Sequence, residues 1–219
     1  DSGSCMDVLE IDAASNNGVD NVRDLRDDAI YTPSQVKMRV YIIDEVHMLS
    51  ISAFNALLKI IEEPPEHLLF ILATTELHKV PATILSRCQR FSFRRISQED
   101  IAARLQYVSY QEGIDLDDSA ARVLARLADG AMRDGLSLLD QCASATEGEL
   151  TAEKVYGCLG IAGIMECGKL MGYIADHDTG KALSLVDRFY AEGKDMGALL
   201  DELSCLTRDF MVLKTAPQA

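Results

Sequence analysis

The sequence predicts an α/β fold, in which a parallel β-sheet with connecting helices is followed by an entirely helical region. Three observations predict it. Short apolar runs typical of buried strands alternate with segments of helical period over residues 1–96. After residue 96 the apolar residues recur only at helical spacing. Finally, 48% of the 219 residues are hydrophobic, so the chain can bury a core.

Four segments have the composition of strands. The two central segments are continuously apolar, which is typical of strands buried on both faces of a parallel sheet. The last segment alternates arginine with phenylalanine, which is typical of an edge strand. In chain order the expected strands are Met6–Asp12, Arg39–Ile43, Leu68–Thr74 and Arg90–Arg94.

Helices are expected between these strands and throughout the rest of the chain. The clearest one carries Phe54, Leu57, Leu58 and Ile61 on one face, with a serine cap at Ser50 or Ser52 and a stop at Pro64-Pro65. Later helices are separated at Gly113 and at Asp129-Gly130, and Thr151 is expected to cap another. The remaining expected helices are Val19–Ile30, Ala82–Ser86, 97–112, 117–128, 132–145 and a helical run from Thr151 to Leu213.

Composition argues against several classes of protein. No run of eighteen apolar residues occurs, so no membrane span is predicted. The net charge of −14 makes the chain as a whole a poor match for nucleic acid or a membrane surface. The six cysteines form no Cys-x-x-Cys pair, so no zinc site is expected. Because no signal peptide opens the chain, we expect free thiols in a reducing cytoplasm.

Polar residues follow two of the expected strands directly. Parallel sheets bind ligands beyond the carboxyl ends of their strands. Asp44 and Glu45 follow the apolar run that ends at Ile43, and two such acids can bind Mg²⁺ and orient a water on a phosphate. Thr74 and Thr75 end the next strand, where a hydroxyl can contact a phosphate or a water. Taken singly, each pair also fits an ordinary solvated strand end.

Two arginines are further candidates for phosphate contact. Arg87, after the short helix, could reach a phosphate in a neighbouring subunit, and Arg133 could reach a nucleotide from the first turn of a helix. The alternatives are a surface arginine at 87 and an ion pair of Arg133 with Asp129 or Asp134. Arg87 also belongs to a cluster of four arginines within nine residues, which fits either a phosphate site or a solvated edge.

Taken together, these segments closely resemble the gamma/tau family of bacterial DNA polymerase III clamp-loader subunits. The resemblance implies an AAA+ ATPase with a nucleotide-binding domain, a three-helix lid and a helical collar that joins five subunits in a ring. In that family, ATP binding opens the sliding clamp around primed DNA, and hydrolysis releases the clamp closed. The matching segments are Leu9–Gly18 (LEIDAASNNG), Tyr41–Ser50 (YIIDEVHMLS), Phe54–Pro65 (FNALLKIIEEPP), Leu72–Glu76 (LATTE), Ile84–Cys88 (ILSRC) and Met132–Gln141 (MRDGLSLLDQ).

The resemblance also implies domains and residue roles. The domains would be residues 1–96 for the nucleotide-binding part, 97–146 for the lid and 150–219 for part of the collar. The site residues would be Asp44 as the Walker B ligand of Mg²⁺, Glu45 as the catalytic base, Thr75 as sensor 1 with Thr74 beside it, Arg87 as an arginine finger acting in a neighbouring subunit, and Arg133 as sensor 2. The implied partners are the other clamp-loader subunits, the sliding clamp and the backbone of primed DNA, with no membrane.

One departure from the family pattern matters for activity. No Gly-x-x-x-x-Gly-Lys-Ser/Thr motif occurs, and the family places this P-loop upstream, together with a four-cysteine zinc module. We therefore expect an N-terminally truncated, incomplete AAA+ sheet with an exposed strand edge or apolar face. ATP and Mg²⁺ are expected cofactors of the intact protein but not of this chain alone. Cys5 has no pairing cysteine and is not expected to bind zinc.

Two other functions compete with the motor subunit. One is a non-hydrolysing structural subunit of the same assembly that donates Arg87 to its neighbour. The acid pair argues against it, since such a subunit has no need of catalytic carboxylates. The other is a metal-dependent hydrolase that uses Asp44, Glu45 and His47. It is disfavoured because no further carboxylate or histidine stands at ligand spacing.

Overall fold

A computed structural model describes residues 7–29, 31–33 and 36–216, and the chain divides into two compact units, residues 1–92 and 93–219. We call them the first and second units. The first is α/β and the second is helical, which confirms the predicted fold class. Met6 of the expected first strand, Ile30 of the expected first helix and Cys5 lie outside the described residues.

The first unit contains a three-stranded parallel sheet. Its strands are β1 (Val8–Asp12), β2 (Arg39–Asp44) and β3 (Leu68–Leu72), and they lie in the order β1-β2-β3. Helix α1 (Val19–Asp28) connects the first two strands, and helix α2 (Ile51–Glu62) connects the second and third. Because the strands are parallel, their carboxyl ends share one edge of the sheet. The polar residues that the sequence predicts as site residues follow the strands at this edge.

Among the described residues of the first unit, helices α1 and α2 cover one face of the sheet. Tyr41 and Ile43 of β2 are each 1% exposed and pack in one core with α1 and α2. Crossovers of the same hand between consecutive strands bring both helices to the same face. On the opposite face Val8, Leu69 and Ile71 remain 45–46% exposed. The expected exposed apolar face is therefore present.

The predicted edge strand at Arg90–Arg94 is wrong. These residues form no strand, and Phe91 and Phe93 are 74% and 98% exposed. An alternating pattern makes an edge strand only when a neighbouring strand takes its backbone N–H and C=O groups. Within the described residues β3 is an outer strand of the sheet, and it does not pair with residues 90–94.

Short turns and a cap shape the loops that follow the strands. A 3₁₀ turn at Val46–Met48 follows β2, and a second one at Leu77–Lys79 follows β3. Ser50 rather than Ser52 caps α2, because its hydroxyl accepts the N–H of Ala53 at 3.2 Å. The short helix α3 (Ala82–Leu85) begins directly after Pro81, and its first residue is that of the expected helix Ala82–Ser86.

The second unit is built from seven helices in the described chain. Ser97 caps the first of them by accepting the Asp100 N–H at 3.1 Å, and Gly113 ends it with a φ of +70°. Thr151 lies at the cap position of a later helix, but its hydroxyl makes no capping hydrogen bond, so that expectation is wrong in detail. The helices are α4 (Gln98–Glu112), α5 (Asp118–Leu127), α6 (Met132–Ala145), α7 (Ala152–Leu159), α8 (Ile164–Ala175), α9 (Thr179–Ala191) and α10 (Met196–Thr215).

Two apolar clusters hold the second unit together. One is centred on Ile101, Leu105 and Leu124 of α4 and α5, and the other on Phe189 of α9 with residues of α8 and α10. Near its end α10 leaves Phe210, Met211 and Leu213 more than half exposed. No single described helix is long and apolar enough to cross a membrane, and α7 and α8 pass that test only as a pair bent by 76°.

Candidate functional site

The loops after β2 and β3 remain paired beyond the ends of the strands. The Ala73 N–H donates to the Ile43 carbonyl at 2.9 Å, and the Val46 N–H donates to the Ala73 carbonyl at 2.9 Å. These two bonds hold the loops side by side, so the residues after each strand come together at the carboxyl edge of the sheet.

Glu45 and Thr75 are in contact at this edge. The Thr75 hydroxyl donates to the two carboxylate oxygens of Glu45 at 3.1 and 3.4 Å, and the Thr75 N–H donates to the nearer one at 3.3 Å. Glu45 has a left-handed backbone, with φ 47° and ψ 45°. For a non-glycine residue this conformation costs about 1–3 kcal/mol, and it is common at functional sites.

Asp44 lies next to this contact with an accessible carboxylate. Its Oδ1 accepts the Glu45 N–H at 2.9 Å, and within the described residues its Oδ2 accepts no hydrogen bond. The neighbouring strand brings Asp12 into register with Asp44, but the Asp12 carboxylate already accepts from the Ser15 hydroxyl and the Ala14 N–H. These two bonds, Ser15 first, lower the pKa of Asp12. Within the described part of the chain, Asp44 thus keeps one carboxylate oxygen that accepts no hydrogen bond.

Thr74 faces a histidine rather than Glu45. Its hydroxyl oxygen accepts the Glu76 N–H at 3.0 Å and lies 3.0 Å from Nδ1 of His47. The same Nδ1 is 3.2 Å from Oε2 of Glu45, and Nε2 of His47 is 3.1 Å from Oε2 of Glu76. The His47 side chain is 7% exposed. It is therefore an inner part of the site, linking both loops.

Sequence reasoning missed the place of His47 and Glu76 in this cluster. It considered His47 only as a metal ligand and did not consider Glu76. The available signal was position, because each residue follows one of the two polar strand ends by only a few residues. Glu76 also accepts a hydrogen bond from Lys79 Nζ at 2.5 Å, and this bond lowers the pKa of Glu76. Glu76 is consequently ionised at neutral pH.

Arg87 is not part of the cluster that Glu45, His47, Thr75 and Glu76 form at the ends of the strands. Its guanidinium pairs with Glu62 at the end of α2 at 2.7 Å and donates to the Thr83 carbonyl at 2.7 Å. The side chain is still 38% exposed. Arg87 is therefore held in a defined position on the surface of the first unit.

Arg133 belongs to the second unit. It lies exposed in the first turn of α6, and among the described residues its side chain makes no ion pair. The alternative pairing with Asp129 or Asp134 is not observed, because Asp129 pairs with Arg95 instead.

Family models match nearly the whole chain in three consecutive parts. Residues 1–97 match the family described as DNA polymerase III, delta subunit. Residues 100–148 match the ATPase lid domain of the DNA polymerase III clamp loader subunit, and residues 150–219 match domain III of DNA polymerase III subunits gamma and tau. All three descriptions refer to DNA polymerase III.

Among similar proteins, the DNA polymerase III subunit tau of Bacillus subtilis is 48% identical over 99% of this chain, and that of Escherichia coli is 38% identical over all of it. This chain spans 38% and 34% of those two relatives. A RuvB structure from Thermotoga maritima has a TM-score of 0.58 at 15% identity, over 78% of this chain and 61% of RuvB, which supports the fold alone. The chain belongs to the gamma/tau family of DNA polymerase III clamp-loader subunits, within the AAA+ ATPases.

Proposed function

We propose that this chain carries the catalytic carboxylates of an ATP-hydrolysing clamp-loader subunit. The protein that contains it would couple ATP binding and hydrolysis to loading the sliding clamp on primed DNA. The observation that carries the proposal is the contact of Glu45 with Thr75 beside Asp44. It lies at the carboxyl edge of a parallel sheet, where such sheets bind their ligands.

The donor set at Asp44 fits Mg²⁺ held together with a nucleotide. Mg²⁺ is commonly bound by one or two carboxylates together with substrate phosphates and waters. Asp44 is exposed and has one carboxylate oxygen without a hydrogen bond among the described residues, so it is our candidate ligand. No described group of three or more His, Cys, Asp or Glu residues could hold a metal, but a phosphate-shared ion does not require one. When bound, Mg²⁺ neutralises charge on the phosphates.

Glu45 is our candidate for the catalytic base. Its side chain is 34% exposed, so a water molecule can reach the carboxylate. The hydroxyl and amide of Thr75 orient that carboxylate without carrying a positive charge, and its oxygens can still take a proton from an attacking water. Thr74 takes part indirectly, by contact with His47.

The two arginines are assigned supporting roles. We infer that Arg87 acts in a neighbouring subunit, because its guanidinium lies on the surface with one ion pair that a phosphate could replace. Arg133, which makes no ion pair in the described part of the chain, is our candidate for nucleotide contact from the lid. Both assignments follow the family pattern.

We expect the 219 residues alone not to bind ATP. The sequence contains no P-loop motif, whose amides and lysine cradle the β- and γ-phosphates in such sites. Titration of the purified chain with a fluorescent ATP analogue measures this directly. Micromolar binding would contradict the expectation.

The exposed end of α10 supports assembly with other clamp-loader subunits. Phe210, Met211 and Leu213 form an apolar surface there, and such surfaces mark interaction sites. We propose that this surface contributes to the collar of a five-subunit ring. Contacts with the sliding clamp and with the DNA backbone are proposed on the family pattern, and the net charge of −14 requires the DNA contacts to be local.

The test of the proposed function is Glu45→Gln in the full-length protein, assembled in its clamp loader. ATP binding should persist and turnover should fall by roughly 100-fold, as loss of a general base does. Glu66→Gln is the matched control, since Glu66 is exposed and precedes β3 at the opposite edge of the sheet. Unchanged turnover in Glu45→Gln would instead favour the structural subunit that donates Arg87.

A further inference from the structure

His47 is a buried imidazole between two carboxylates. Its 7% exposed ring has Nδ1 at 3.2 Å from Glu45 and Nε2 at 3.1 Å from Glu76. An apolar side chain could fill the same turn without burying a polar ring. Burial of a polar group is unfavourable unless its hydrogen bonds are made, so the contacts at both nitrogens give the ring its reason to be here.

The Glu76 side fixes the orientation of the ring. Glu76 is ionised and can only accept hydrogen bonds, and its Oε2 lies 3.1 Å from Nε2 of His47. Lys79 Nζ donates to the same carboxylate oxygen, Oε2, at 2.5 Å. The exposed side chain of His78 stands on the same turn and is a further charged or polar neighbour of Glu76.

The other ring nitrogen of His47, Nδ1, faces Glu45. Nδ1 lies against both the Thr74 hydroxyl, at 3.0 Å, and the Glu45 carboxylate. Both carboxylates can only accept hydrogen bonds, so a ring with a proton on each nitrogen attracts both, and Nδ1 then holds the Glu45 carboxylate close to it, at 3.2 Å. Two neighbours, the ring and the threonine, thus confine one carboxylate.

We propose that His47 is a positioning residue that holds the Glu45 carboxylate in place for proton transfer, acting through its Nδ1 edge. This inference rests on the proposed ATP hydrolysis and adds a residue to it. It gives the Thr74 hydroxyl a role as well, as the second contact of the same ring nitrogen.

The experiment uses the full-length protein in its clamp loader, with ATP turnover and KM for ATP measured for three variants. His47→Ala should lower kcat by roughly 10- to 100-fold with KM changed by less than about threefold, because only the placement of the base is lost. His47→Asn, whose amide can occupy the place of Nδ1, should recover most of kcat. His47→Gln, which reaches the place of Nε2, should recover less. His78→Ala is the matched control and should stay within about twofold of the parent.

A second comparison separates action through Glu45 from general damage. The double variant Glu45→Gln, His47→Ala should be no slower than Glu45→Gln alone, because the ring then has no base to position. Multiplied effects, or a failure of His47→Asn to recover activity although its thermal unfolding is unchanged, would overturn the inference. Normal kcat in His47→Ala would overturn it while leaving the proposed function intact, provided that Glu45→Gln is slow. If Glu45→Gln is not slow, both fall together.

Discussion

Two carboxylates, one in each unit, are held by partners distant in sequence but in opposite ways. Glu45 of the first unit is 34% exposed and accepts from the neutral hydroxyl and amide of Thr75, 30 residues away. Glu202 of the second unit is 8% exposed and pairs with the guanidinium of Arg126, 76 residues away, at 2.5 Å. The comparison teaches that a partly exposed carboxylate with no lysine or arginine partner among the described residues keeps its capacity to accept a proton, whereas an enclosed carboxylate paired with an arginine ties helices together.

The largest effect is expected from breaking the enclosed pair. Arg126→Ala removes the guanidinium that joins α5 to Glu202 of α10 and to the Tyr156 hydroxyl. Glu202 would remain buried without its countercharge, so the free energy of unfolding of the second unit should fall by about 3 kcal/mol or more. Urea denaturation followed by circular dichroism measures it.

Arg122→Ala is the matched control on the same helix. Arg122 pairs with Asp118 one turn away, and both side chains are more than half exposed. Such a pair contributes less than about 1 kcal/mol, so the urea midpoint should hardly move. Equal losses in the two variants would mean that the Arg126 pair does not act as an enclosed link.

A smaller effect separates the two faces of the sheet in the first unit. Leu57 of α2 is 1% exposed on the covered side, and Leu69 of β3 is 46% exposed on the open side. Leu57→Ala should cost about 2–4 kcal/mol through lost burial and a cavity, and Leu69→Ala less than about 1 kcal/mol. Thermal unfolding of both variants checks this. A Leu69 variant as unstable as the Leu57 variant would mean that the open face is covered in solution.

The smallest effect concerns a carboxylate held by local contacts alone. Asp178 caps α9, and its carboxylate accepts hydrogen bonds from the ammonium and from the backbone N–H of Lys181. These bonds, the one from the ammonium first, lower the pKa of Asp178 below its usual value of 3.8. A lowered folded-state pKa means that this stabilisation is present above the unfolded value and is lost as pH falls through the folded value. Carboxyl titration by NMR should give a midpoint for Asp178 below 3.8. A midpoint at or above that value would contradict the contact.

The sequence predicts much of the first unit, because its signals are local or follow from strand order. Apolar runs locate β2 and β3, and parallel strands require that Glu45 and Thr75 share an edge. The prediction of an edge strand at Arg90–Arg94 was wrong, because an alternating sequence pattern does not indicate whether a neighbouring strand is present. The contacts of His47, the Arg87–Glu62 pair and the Arg126–Glu202 pair were not predictable, since each depends on how elements far apart in sequence pack together.

The most direct test of the central claim is a double-variant cycle on the Glu45–Thr75 contact, measured by single-turnover ATP hydrolysis in the assembled clamp loader. Thr75→Ala should slow hydrolysis by about 10-fold, Thr75→Ser should stay within about threefold of the parent, and the double variant should be no slower than Glu45→Gln alone. Full activity in Thr75→Ala, or slowing that multiplies in the double variant, would contradict the claim that these two residues act as one site.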